Sequence, residues 1–148
     1  MIRTEAEYKS SKKHISDQEK VAESQREALF AQGFSEQEVE AAMEPLLCFH
    51  SQWKEEVVWY ESVRDRQFSP VNRLTDIGRL LIALRIANGL SQKDLASRLD
   101  VSEAMVSRDE RNEYHGITLE RAQKVLDALD EKLTTSVDEP KRELAGVA

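Results

Sequence analysis

A chain of 148 residues with 40% hydrophobic, 6% aromatic and 33% charged residues, five glycines and three prolines suits long solvated helices better than a sheet. It shows no sustained period-2 alternation and no run near the roughly 18 apolar residues of a membrane span. Its first thirty residues hold no leader-like apolar run, and the single cysteine, Cys48, leaves no internal disulfide, so a cytoplasmic protein with no membrane partner is expected. The formal net charge is −7, and residues 1–69 carry 9 basic against 14 acidic side chains, residues 70–148 carry 12 against 14. Neither half is a basic patch, so non-specific affinity for nucleic acid is expected to be weak.

The first predicted helix runs from Thr4 to about Gln32 and opens with a capping box, Thr4 with Glu7. Tyr8, Ile15, Ala22 and Leu29 recur every seven residues, but the intervening positions are mostly polar, so the seam is thin and needs a partner. Gly33 suits a left-handed helix terminus, and Ser35 with Glu38 forms a second capping box. A stronger heptad follows, Val39, Met43, Leu46, His50, Trp53, Val57, Tyr60 and Arg64, flanked by Leu47, Phe49, Val58, Trp59 and Val63. This pattern predicts an antiparallel hairpin over residues 1–69. Two readings of its apolar stripe stay open: an interface for a second subunit or another protein, or core that packs on its own hairpin and the following domain.

Pro70, in FSPVN, ends the second helix and starts a domain over residues 70–134. Leu74, Ile77, Leu80, Leu81, Leu84 and Ile86 predict its first helix, closed by Gly89. Ser91 caps a second, QKDLASRL, with Leu95, Ala96 and Leu99 inward. Ser102 caps a third, EAMVSRDER, with Val106 inward, and Thr118 caps a fourth bearing Leu119, Ala122, Val125, Leu126 and Leu129. Residues 135–148 are weakly hydrophobic and read as a flexible tail.

The run LRIANGLSQKDLASRLDVSEAMVSRDERN, followed by ITLERAQKVLDAL, resembles the helix-turn-helix of the phage repressor and Cro class, the Xre family, over about Leu74 to Leu133. Arg85, GLSQ, LA, the Val-Ser opening of the third helix, Ser107-Arg108, Glu110 and the closing apolar helix fall at the family's spacing. The resemblance implies a compact lambda-repressor-like helix-turn-helix domain, which after the long antiparallel helical hairpin read from the heptads makes an all-α chain. The first half resembles, more loosely, the TEAEY-like helical leader of proteins that join a hairpin to such a module, some of them antitoxins of the HigA type.

In this architecture the third helix lies in the major groove and the second crosses the backbone. At 100° per residue, Glu103, Ala104, Ser107 and Arg108 share one face, the base-contacting set, with Arg108 suited to guanine O6 and N7. The resemblance places Gln92 at phosphate, with Ser91 and Lys93 beside it, and again Arg111 and Asn112, where Asn replaces the more usual glycine. It also implies a structural ion pair between Arg85 and Glu110. Asp109 departs from the apolar or aromatic residue usual there, and the sequence does not fix its role.

No catalytic group, cofactor or metal site is expected. His14, His50 and His115 lie on three segments, Cys48-Phe49-His50 lacks zinc-site spacing, and the glycines are isolated. The expected function is a sequence-specific DNA-binding regulator, a homodimeric repressor on a double-stranded operator, with a toxin protein as partner in an antitoxin role. The alternative is a helical interaction module whose helix-turn-helix fold does not touch DNA.

Overall fold

The computed structural model describes residues 1–137, and the greater part of the expected tail, from 138 on, lies outside them. The described residues form six α-helices and one short 3₁₀ turn, with no strand, and no helix among them is long and apolar enough to cross a membrane. Helix α1 (Glu5–Ala31) and α2 (Glu36–Arg64) make the hairpin. Both open on reciprocal caps. The Thr4 hydroxyl accepts from the Glu7 N–H at 3.2 Å while the Glu7 carboxylate accepts from the Thr4 N–H at 3.3 Å, and Ser35 and Glu38 repeat the exchange at 3.4 and 2.9 Å. Each box satisfies donors that the first turn of a helix leaves without partners. Gly33, at φ +88°, makes the turn between them.

Contacts across the hairpin run antiparallel. Tyr8 donates to Glu61 at 2.5 Å, Tyr60 to Glu5 at 3.3 Å, and Lys54 pairs with Glu19 at 2.7 Å. Pro45 lies exposed inside α2, so the carbonyl one turn before it loses its helical donor at a place where water can replace it.

The heptad stripe expected to face a partner is largely covered by the chain itself. Val39, Met43, His50, Val57 and Tyr60 are buried and Leu46 is half-buried, leaving Trp53 and Arg64 of that set exposed. The buried residues serve as core of the described chain, the second of the two readings open for the stripe. The physical reason is that α1 lies along the stripe and α3 closes its lower end. Other large apolar groups exposed on the hairpin are Val21 on α1, Leu47 and Val58 on α2, and Phe30 and Phe34 at the tip.

The short 3₁₀ turn Leu74–Asp76 leads into α3 (Ile77–Ala87), followed by α4 (Gln92–Leu99), α5 (Glu103–Arg111) and α6 (Leu119–Ala128). Ser91, Ser102 and Thr118 cap the last three, each hydroxyl accepting a backbone N–H three residues on. Leu81 and Ile82 of α3, Leu95 of α4, Val106 of α5 and Val125 and Leu126 of α6 meet in one core, each aliphatic chain contributing about 1.5–3 kcal/mol by its burial. Ile2, Val57, Tyr60 and Val63 belong to the same core. The hairpin base is therefore packed into the second half, and the loop around Pro70 divides the chain without dividing the core.

Candidate nucleic-acid interface

Helix α5 is fixed by what it buries. Val106 points into the core, and one turn later Glu110 is fully buried. A carboxylate there requires a charged partner, and Arg85 of α3 supplies it, Nε donating to Oε1 at 2.5 Å and Nη2 to Oε2 at 2.7 Å. Arg85 also donates to the carbonyls of Leu90 at 2.7 Å and Arg3 at 2.8 Å. One guanidinium thus ties α5 to α3, to the α3–α4 turn and to the segment ahead of α1.

With Val106 and Glu110 inward, α5 leaves Glu103, Ala104 and Arg108 exposed and Ser107 half-buried, an arc of about 140° that begins beside Glu110 and runs away from it. Residues Ser91 and Gln92, at the start of α4, line one cleft together with Glu103, so they stand beside the first turn of α5. Lys93 is exposed next to them. The Ser91 hydroxyl donates to Asp94 at 2.6 Å, and this bond with the Ser91 backbone N–H holds the Asp94 carboxyl below its usual range. Gln92 does more than the sequence suggested: its Nε2 donates to Glu110 at 2.8 Å. Its amide therefore braces α4 against α5, and one N–H of the two remains for another acceptor.

At the other end of α5, Arg111 and Asn112 line a cleft of about 340 Å³ with Thr75, Asp76, Arg79, Glu113 and His115, where Arg79 lies 4.0 Å from the Glu113 carboxylate. Arg79 and His115 were missed in the sequence. Arg79 sits on the solvent side of α3 and His115 in a turn, and only the fold brings them to Arg111. The turn is tight. Glu113 and Tyr114 both have left-handed backbones, φ 49° and 53°, and the Glu113 carbonyl lies against Gly78 so closely that a Cβ there would collide with it. Tyr114 is buried, and desolvation with Glu110 nearby raises its pKa well above the ordinary phenol value.

Asp109 acquires a role. Its Oδ2 accepts from Arg121 of α6 at 2.6 Å, a partly exposed pair that joins α5 to α6 on the side away from Arg108. Elsewhere, among the described residues, no group of three or more His, Cys, Asp or Glu is placed to hold a metal ion. His14 and His50, far apart in sequence, do line one cleft with Trp53 in the hairpin.

Residues 81–135, which include α4, α5, α6 and most of α3, match the helix-turn-helix family model HTH_3. The match covers less than half of the chain and supports a DNA-binding regulatory domain in its second half. No curated protein and no solved structure matches the chain.

Proposed function

We propose that the protein is a sequence-specific DNA-binding transcription regulator, acting as a homodimeric repressor with α5 in the major groove. The observation that carries this is the division of α5: Val106 and Glu110 are buried, while Glu103, Ala104 and Arg108 are exposed and Ser107 half-buried within one arc of about 140°. Arg108 donates two hydrogen bonds to guanine, Ala104 meets a thymine methyl, Glu103 accepts from cytosine N4, and Ser107 contacts a base edge or phosphate. Ser91, Gln92 and Lys93 at one end, and Arg111 and Asn112 at the other, hold the sugar-phosphate backbone and set register. The acidic net charge makes a single domain a weak binder. Two domains on a pseudo-palindrome combine their contacts, with half-sites about 34 Å or a multiple apart.

Selection of bound sequences from random duplex DNA at low salt tests this. Enrichment of paired half-sites at a multiple of the helical repeat supports a dimeric reader, and recovery of unenriched sequence contradicts it.

A partner role for the hairpin, of the antitoxin kind, is supported by Leu47, Trp53 and Val58 on α2 and Phe30 and Phe34 at the tip, large apolar groups that the chain leaves exposed. Co-purification of the native protein with a small basic protein tests it, and elution as a pure homo-oligomer counts against it. A helix-turn-helix fold that serves only protein contacts is favoured by the acidic net charge, and an unpaired Asp109 would favour it too. That acid now has its cation within the fold, in Arg121.

A further inference from the structure

The hairpin base meets the helix-turn-helix beside the first turn of α5, and the two enclose a cleft of about 380 Å³. Arg3, Glu5, Tyr60 and Arg64 form one wall, and Ser91, Gln92 and Glu103 stand on the other. Arg64, remote in sequence from the DNA-reading helices, therefore lies across from the residues assigned above to the backbone. Its guanidinium is held in place. It sits 5.7 Å from the Tyr8 ring centroid and 6.0 Å from that of Tyr60, two rings stacked 4.9 Å apart, with Glu5 3.6 Å away. The side chain is nonetheless 48% exposed. An arginine has five N–H donors in a planar fork that fits phosphate oxygens, and one long contact to Glu5 leaves most of them free. On the same wall, Arg3 Nε is buried with no acceptor among the described residues.

We propose that the hairpin base is a second DNA-backbone contact, in which Arg64 donates to a phosphate of the duplex just outside the half-site faced by α5. This rests on the DNA-binding function proposed above and extends its footprint to the first half of the chain. Within the cleft Arg85 is neutralised by Glu110 and Arg3 lies 3.6 Å from Glu7, which leaves Arg64 against Glu5 and Glu103. A near-neutral cleft adds a positional contact to others and does not bind DNA alone. The phosphate takes the place of Glu5 on the Arg64 fork.

The test titrates wild type, Arg64→Gln, Arg64→Lys and Arg108→Ala against two duplexes, the selected operator with about one helical turn of flank on each side and the same operator trimmed to its half-sites. On the flanked duplex Arg64→Gln lowers the slope of log K against log salt by about 0.9 per protomer, equivalent to about a threefold difference per protomer in salt sensitivity between about 50 and 200 mM. Arg64→Lys keeps the wild-type slope, and on the trimmed duplex all three Arg64 forms bind alike. Equal slopes for wild type and Arg64→Gln on the flanked duplex overturn the proposal, as does an equal loss on both duplexes, which would mean a displaced α5. A normal dependence on Arg108 with no effect at Arg64 overturns this contact alone. Failure of wild type to bind either duplex removes the DNA-binding function and this contact with it.

Discussion

Arg85 and Glu110, on α3 and α5, lie side by side with two parallel hydrogen bonds of 2.5 and 2.7 Å, and their side chains are 3% and 0% exposed. Removing one partner leaves an uncompensated buried charge, which costs about 3–5 kcal/mol. For a chain of this size Arg85→Ala or Glu110→Ala lowers the melting temperature on the order of 10 °C. Because Gln92 also hangs on Glu110, the Glu110 variant loosens α4 as well and loses DNA affinity at temperatures where it is still folded. A thermal scan of either variant that overlays wild type contradicts the pair's role.

Asp109, the neighbouring acid, behaves differently for a physical reason. Its pair with Arg121 is 24% and 42% exposed, and solvent screening leaves such a pair about 0–1 kcal/mol. Asp109→Ala therefore changes the melting temperature by only a few degrees and leaves base preference unchanged. Denaturation midpoints for the two alanine variants, measured side by side, check the contrast, and equal losses at 109 and 110 refute it.

Gly78→Ala drives a methyl group into the Glu113 carbonyl. That carbonyl belongs to a turn already holding two left-handed non-glycine residues, so relief requires moving backbone, at a cost of about 1–3 kcal/mol. The turn carries His115 and follows Arg111 and Asn112, so the substitution weakens DNA binding on every sequence alike. Equilibrium unfolding in urea gives the stability, and a wild-type midpoint rules out the close packing of α3 on this turn.

The Asp94 carboxyl is held low by the Ser91 hydroxyl and backbone N–H. A carboxyl whose folded pKa is depressed contributes stability that is fully present above its ordinary value and is lost as pH falls through the lower folded value. At neutral pH the cap is intact, and its contribution shrinks as pH falls below the ordinary aspartate range and is gone only below the lower folded value. Asp94→Asn is therefore less stable than wild type near neutrality, and the gap narrows in acid. Melting curves at a series of pH values give the result, and a gap that widens in acid has the wrong sign.

Much of this was legible from local pattern. The helix starts at Thr4, Ser35, Ser91, Ser102 and Thr118 are chemical signals confined to three or four residues, and the structure places caps at all five. The inward turn of Glu110 comes from the family resemblance, which implies its pair with Arg85, since local spacing alone does not send a glutamate into a core. The stripe on α2 was harder. Period-3.5 spacing identifies a buried face without saying what buries it, and Val57 and Tyr60 are closed by α3, beyond a loop whose proline suggested a separate domain. Pairs such as Asp109 with Arg121, or Arg79 with His115 beside Arg111, depend on how helices cross. Nothing in the linear spacing records that.

In the proposed function the outer face of α5 reads bases through Arg108. This is tested most directly by measuring wild type and Arg108→Ala at one salt concentration on the selected operator and on duplexes with each guanine of the half-site replaced in turn. Loss of a bidentate arginine–guanine contact costs about 1–3 kcal/mol at the base it reads. The predicted result is that the variant loses discrimination at one guanine while keeping wild-type preferences elsewhere and the wild-type melting temperature. A variant that binds every duplex as wild type does, or that loses the same affinity on all of them, contradicts the claim.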